Sequence, residues 1–359
     1  LREGLAAQRC RKEGIVVVTS IGIVGLGLIG GSLARRAVAR GYEVLAWNHT
    51  PRPYEEARRD GIQCMKTLED LAQAKPELLI LCNPLKAMPD VLTRLAPAID
   101  PAASTLSDVG SVKGMVREQV ERAGLEGCYV GAHPMAGNER SGFEASDPAL
   151  YDGALWAVTV DADTQYQRFF GVARFIANGL GNELIVLDDV THDRAAALIS
   201  HMPHAVATSM INELCASPER NIAAALAAGS WRDMTRVALT DPNRTRAMID
   251  EDRTNVEILL RHLAARLLEF ADGLHRGDET AIAAYFAEGQ TFRDFKAHAA
   301  MARAAQCSQG GSAALHKATL DIDPAHWQRK LLESARRGER ITRLLDNYRV
   351  VIRHQPNMD

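Results

Sequence analysis

Residues 21–34 read I-G-I-V-G-L-G-L-I-G-G-S-L-A. Ile21 to Val24 is a short β-type run, Gly25, Gly27 and Gly30 follow, and Ile29, Leu33 and Ala37 then recur at helical spacing. The pattern is strand, tight turn, helix. In a fold that holds a dinucleotide, the first glycine makes the turn, the second lets backbone approach a pyrophosphate, and the third lets helix pack on strand. The phosphates then rest on the helix N-terminus, where unpaired N–H groups and the helix dipole favour an anion. Gly25, Gly27, Leu28, Ile29 and Gly30 are therefore candidate cofactor residues, the alternative being a purely structural glycine turn. Gly41 is placed to end the helix, and Glu43 to Trp47 supplies the second strand of a βαβ unit, which favours the cofactor.

The same stretch invites a different reading, because Arg9, Arg11 and Lys12 precede a mostly apolar run from Ile15 to Ala34, as in a signal peptide or a membrane span. Five glycines break that run at dinucleotide spacing, so a cytoplasmic enzyme without membrane association is expected. A carboxylate that would take a ribose 2'-hydroxyl should end the second strand, yet the residues there are Asn48, His49, Thr50, Pro51 and Arg52. Polar Asn48 and Thr50 with cationic Arg52 and His49 suit a 2'-phosphate, so NADP is favoured over NAD; the alternative is a solvated loop.

Alternation continues outward. Thr67 with Asp70 forms a capping-box pattern, Leu78 to Cys82 reads as a buried strand, Met88 to Leu95 as a helix, and Thr105 to Val109 as a strand. Val112 to Ala123 is helical, and Tyr129 to Ala132, Trp156 to Val160 and Glu183 to Leu187 are β-type. The expected architecture is α/β: a Rossmann-type, doubly wound, mostly parallel sheet over residues 20–189, after an N-terminal extension at 1–19. Past Asp188 the texture turns Ala-rich and helical, so an all-α domain is expected over 190–290 and a helical extension over 291–359. In that extension Ser308 to Ser312 reads as flexible and His326 to Asn347 as an arginine-rich, solvated helix.

Such a sheet places its chemistry just beyond the carboxyl ends of its strands. Two polar clusters fall there, D-V-G-S-V-K at 108–113 and H-P-M-A-G at 133–137. Ser111 stands at a helix start and reads either as an N-cap or as a site hydroxyl. His133 leaves a strand towards the cofactor crevice, and an imidazole that titrates near neutrality suits a base taking a proton from a hydroxyl; the alternative is a structural histidine.

The helical half carries S-H-M-P-H at 200–204. Ser200 and His204 share a helix face, His201 is rotated by about 100°, and Pro203 should kink the helix beside them. Arg236 adjoins apolar Val237, Ala238 and Leu239 and needs an anion, supplied either by Asp233 one turn back or by a substrate carboxylate. Leu259, Leu263 and Leu267 line one face of a helix from Asn255 to Leu274, suited to core or subunit packing. Six scattered cysteines without a CxxC argue against a disulfide scaffold and a thiolate metal site, and two histidines three apart are thin support for zinc, so no metal is expected. With 42 basic and 45 acidic residues there is no global field to attract nucleic acid.

Together, G-L-G-L-I-G-G-S at 25–32, D-V-G-S-V-K at 108–113, H-P-M-A-G-N-E-R-S-G at 133–142, S-H-M-P-H at 200–204 and D-M-T-R at 233–236 resemble the prephenate and arogenate dehydrogenases over residues 20–290. The resemblance implies NAD(P)-dependent oxidative decarboxylation of a cyclohexadienol on the tyrosine pathway. By similarity His133 takes the hydroxyl proton, Ser111 orients hydroxyl and imidazole, Arg236 holds a substrate carboxylate, and Ser200, His201 and His204 line the substrate side. It also implies a homodimer through the helical domain. The family often has an aromatic residue shortly after the Asp-Pro that follows the arginine, where Asp241-Pro242 here leads into Asn243, Arg244 and Thr245. No chorismate mutase module is expected ahead of the first strand, and the last 70 residues do not read as the βαββαβ pattern of a regulatory ACT domain. Rival readings are another Rossmann oxidoreductase acting on a 3-hydroxyacid or imine, a dehydrogenase of an amino analogue of prephenate, and a non-catalytic NADP-binding sensor.

Overall fold

Strand β1 (Ser20–Val24) lies inside the sheet, flanked in parallel by β2 (Glu43–Trp47) and β4 (Leu78–Leu81). Its neighbours explain why it must be apolar: Ile21 and Ile23 face one core layer and Val24 the other, all with no solvent exposure. The computed structural model describes residues 18–297 and 317–354. The signal-like segment before residue 18 and the Ser308–Ser312 stretch lie outside the described residues.

Among the described residues the sheet runs β3-β2-β1-β4-β5-β6-β7-β8-β10-β11-β9. From β3 (Gln63–Cys64) through β5 (Thr105–Asp108) to β6 (Tyr129–Pro134) all pairs are parallel. Strand β7 (Leu155–Thr159) reverses direction against β6, and β8 (Glu183–Leu187) continues parallel to β7. The strand order turns back between β1 and β4, which opens a crevice beyond their carboxyl ends. Helix α1 (Leu28–Ala39) crosses from β1 to β2 and ends at Gly41, whose φ of 83° is the left-handed geometry a glycine provides. The Thr67/Asp70 capping box is present at the start of α3 (Leu68–Gln73), which follows the short α2 (Tyr54–Arg59). The helices α4 (Met88–Leu95) and α5 (Lys113–Arg122) complete one side of the parallel half.

After β8 the helices begin with α7 (Asp189–Ala196), α6 (Tyr166–Arg174) having packed on the sheet before it. The turn Ala197–His201 is a π-helix and α8 (Met202–Ala216) follows without interruption. The expected kink at Pro203 is thus absorbed as a widened turn, in which Met202 N–H bonds Ala197 five residues back. Beyond lie α9 (Arg220–Leu226), α10 (Gly229–Thr235), α11 (Pro242–Glu251), α12 (Arg253–Arg276) and α13 (Glu279–Ala287). On α12, Leu259 and Leu263 are half-buried and Leu267 is exposed.

The C-terminal segment departs from expectation. His326–Asn347 is not one helix, since α14 (Trp327–Arg336) ends at Gly338 with φ of 72° and the chain returns as the antiparallel hairpin β10 (Arg340–Asp346) and β11 (Arg349–Arg353). Strand β9 (Lys317–Asp321) pairs with β11, and β10 joins β8, so the segment extends the main sheet. Residues 291–297 are helical as expected, but over residues 317–354 the helical extension is corrected to strand-helix-strand-strand, the first four elements of the βαββαβ order that the sequence did not reveal. The physical reason is burial by alternation: Val350 and Ile352 point into the core with Ile341 and Leu344, while Arg349 points outward.

Candidate active site

The glycine turn is shaped by contacts rather than by sequence custom. Gly25 has φ of 101°, and a Cβ on Gly30 would fall 2.0 Å from the Gly25 carbonyl oxygen, so a side chain there would push α1 off the turn. A Cβ on Gly27 would meet nothing within 4 Å. Gly27 is the N-cap of α1 and gives it no side-chain cap, so the first-turn N–H groups of Leu28 and Ile29 face a cradle that a diphosphate fits.

Asn48 ties the end of β2 to the glycine turn. Its Oδ1 accepts from Leu26 N–H at 2.9 Å and its Nδ2 donates to the Thr50 carbonyl at 2.9 Å. His49 and Thr50 are exposed beside it, and exposed Arg52 pairs with Glu144 at 3.0 Å.

His133 leaves β6 at the crevice, partly buried. Desolvation, followed by the nearby positive or potentially positive His192, Lys113 and His201, drives its pKa well below the ordinary 6.5. The imidazole is therefore neutral at physiological pH. Its Nδ1 lies 3.0 Å from His192 Nε2, and His192 Nδ1 lies 2.8 Å from Asp193 Oδ1. Beneath them Lys113 and Asp108, both without solvent exposure, form an ion pair; Lys113 Nζ also donates to the Ala132 carbonyl at 2.9 Å, and the Tyr129 hydroxyl to Asp108 at 2.8 Å. Ser111 is not an N-cap. Val112 occupies that position, and Asp193 takes the helix-start N–H groups of Lys113 and Gly114 at 2.7 and 2.9 Å. The half-buried Ser111 hydroxyl has no hydrogen bond among the described residues, to His133 or otherwise.

On the helical side His201 is buried, its Nδ1 2.8 Å from Asp252 Oδ2, and its proximity contributes to lowering the pKa of both His133 and His204. His204 has a pKa lowered by desolvation, then by His201 and by the cations Arg236 and Arg244 against the opposing effect of the Val237 backbone, and its Nδ1 is buried without a partner among the described residues. Arg236 is exposed and forms no ion pair with Asp233, so among the described residues it is available to an external anion. Arg244 donates to the Arg140 carbonyl at 2.8 Å, joining the helical domain to the loop after His133. Ser200 is half-buried, and no contact draws it to His133.

The structure thus gathers His133, His201, His204 and Arg236 and leaves Ser200 and the residues after β2 to the margin. Sequence reasoning missed His192, Asp193, Lys113 and Asp108. Lys113 and Asp108 stood inside the quoted D-V-G-S-V-K cluster, and His192 with Asp193 opens the helix just past the domain boundary.

A neutral imidazole at the carboxyl end of β6, a glycine turn at the carboxyl end of β1, and an exposed Arg236 that acts on His204 and pairs with no carboxylate among the described residues suit hydride transfer from an anionic alcohol. Fold and site define a dinucleotide-dependent dehydrogenase with a helical second domain. Residues 32–185 match the nucleotide-binding domain and residues 188–288 the dimerization domain of prephenate dehydrogenase, and the chain belongs to that family. It is similar to a cyclohexadienyl dehydrogenase from Zymomonas mobilis, 28% identical over 284 residues covering 78% of this chain and 96% of that one. It also resembles the prephenate dehydrogenase of Aquifex aeolicus in complex with hydroxyphenyl propionate and NAD+, with a TM-score of 0.69 and 27% identity over 76% of this chain and 96% of that one. Synechocystis arogenate dehydrogenase superposes with a TM-score of 0.67 at 25% identity, over 76% and 98% of the two chains. Among the described residues no cluster of His, Cys, Asp and Glu could hold a metal, and no helix is long and apolar enough to cross a membrane.

Proposed function

We propose that this chain oxidises and decarboxylates prephenate or arogenate, giving 4-hydroxyphenylpyruvate or tyrosine, with NADP favoured over NAD. The observation that carries the reading is His133, a neutral imidazole at the crevice end of β6 in a family whose members act on these cyclohexadienols. The ring O–H breaks and its proton goes to His133, while the electron pair left on oxygen forms C=O. The nicotinamide supplies the hydride acceptor for the hydrogen on that carbon. The ring carboxylate then leaves as CO2, its bonding pair completes the aromatic ring, and the proton returns to the ring oxygen. Ser111 orients the hydroxyl, Arg236 holds a substrate carboxylate, and His204, His201 and Ser200 line the substrate side.

The NADP preference rests on the lack of a carboxylate at the end of β2 and on exposed Arg52, His49 and Thr50 there. A homodimer through the helical domain would cover Ile222, Leu226, Leu239, Ile258, Leu268 and Phe286, all more than half exposed. The test is NAD(P)H absorbance on mixing the purified protein with prephenate or arogenate and each cofactor. Reduced cofactor in one mixture supports the reading and fixes both specificities. Silence in all four, with NADP binding measured separately, overturns it in favour of an amino analogue or a binding role.

A further inference from the structure

The proposed base is held by a side chain from another part of the fold, and that contact dictates where its protons sit. His192 belongs to the first turn of α7 and is 2% exposed. Its neighbour Asp193 is doubly anchored: Oδ1 accepts Lys113 N–H and Oδ2 accepts Gly114 N–H, both at the start of α5. Burial opposes ionisation of this carboxyl, but the bonds from His192 and the two N–H groups outweigh it and hold its pKa below the ordinary value. An ionised carboxylate only accepts. A neutral His192 bonded to that carboxylate presents Nδ1–H to Asp193 and keeps its Nε2 as an acceptor. Among the described residues the group across from that Nε2 is His133 Nδ1, which must then carry the proton. His133 Nε2 is left as a lone pair, the form a proton acceptor needs.

We infer that His192 is a positioning residue, locking His133 in the tautomer whose Nε2 faces the substrate hydroxyl and accepting from Nδ1–H as the imidazolium develops. The inference rests on the reading of His133 as the base. During proton transfer one N–H bond forms at His133 Nε2 as the substrate O–H breaks, and the Nδ1 proton stays in the hydrogen bond to His192. The other charges around the pair are already engaged: Lys113 with Asp108, Arg117 with Asp189 and Asp161, and His201 with Asp252. They leave Asp193 as the partner of His192.

The experiment compares His192→Leu, His192→Gln and His133→Asn in the full-length enzyme. His192→Leu removes the acceptor, and kcat should fall about 10- to 100-fold, with KM and NADP affinity within about two-fold and a larger deuterium isotope effect from substrate labelled at the carbinol carbon. The amide oxygen of His192→Gln accepts from His133 Nδ1–H and should restore most of that loss. Nitrogen-15 NMR of histidine-labelled wild-type enzyme, which needs no variant to fold, should show His133 protonated at Nδ1 with a bare Nε2. The opposite tautomer overturns the inference, as does unchanged kcat in His192→Leu, or loss of cofactor affinity in step with kcat. If His133→Asn itself keeps its kcat, the reading of His133 as base fails instead; if His133→Asn is impaired and His192→Leu is not, the lock alone fails.

Discussion

Replacing Lys113 by Met should destabilise the nucleotide-binding domain more than any surface change. Lys113 and Asp108 share a site with no solvent exposure, so the substitution leaves a carboxylate in the interior without its cation. Breaking a buried pair from one side costs about 3–5 kcal/mol. Asp108 keeps the Tyr129 hydroxyl and the Gly110 N–H, each at 2.8 Å, which places the cost near the lower end of that range, about 3 kcal/mol. For a domain of this size that is a fall in Tm of on the order of 10 °C. The double variant Lys113→Met with Asp108→Asn removes both charges and should recover part of the loss, so the two changes couple by about 1 kcal/mol or more. Urea unfolding followed by circular dichroism measures the wild type, the two single variants Lys113→Met and Asp108→Asn, and the double variant. Because Lys113 Nζ also donates to the carbonyl of Ala132, next to His133, kcat should fall in the single variant as well. A single variant costing under about 1 kcal/mol, or strictly additive changes, refutes the buried-charge argument.

Other outcomes follow from the same geometry. Since the pKa of His133 lies below 6.5 and a base acts only when unprotonated, kcat/KM should hold as pH falls through 6.5 and decline only below it; an acid limb at or above 6.5 contradicts the neutral base. Loss of one charge-assisted contact of about 1.5–3 kcal/mol in Arg236→Leu should raise KM roughly 10- to 100-fold with a smaller change in kcat, read from steady-state kinetics. Arg52→Ala gives up only an exposed pair with Glu144, so Tm should not move, while KM for NADP rises about ten-fold and KM for NAD stays put. Leu268→Glu places a charge on the apolar face of α12 and should shift sedimentation from dimer towards monomer without loss of helix content.

Much of the nucleotide-binding half is legible because its signals are local. Gly25 and Gly41 answer to positive φ within their own turns, Gly30 meets the Gly25 carbonyl five residues back, and Thr67 with Asp70 closes its box across three. His133 is legible because strand exits place side chains in the crevice. His192 is not: its contact exists only when α7 returns to β6, 59 residues along the chain. Ser111 resembles a cap because nothing local reveals that Asp193 takes the helix-start N–H groups from 79 and 80 residues away. The C-terminal hairpin is hidden because its arginines imitate a solvated helix face, although Gly338 and the apolar residues Ile341, Leu344, Val350 and Ile352 mark a turn and two half-buried strands. A cation count says where solvent is and not which backbone meets it.

The placement of α7 unites the site. Asp188 caps its start, Asp189 pairs with Arg117, His192 reaches His133, and Asp193 holds the first turn of α5. Asp189, His192 and Asp193 therefore pin the helix to the nucleotide-binding domain before it passes through the π turn to His201 and His204. The proposed base and the residues across from it are thereby linked through one continuous helical rod, and a rod fixes separation where a loop would not. The widened turn at Ala197–His201 is the place along that rod where a small change of pitch would rotate His204 and, through the α8 contact, the Arg236 turn relative to His133. The proposed base is thus packed against the pinned length of the helix, and the proposed carboxylate-binding side lies beyond its π turn.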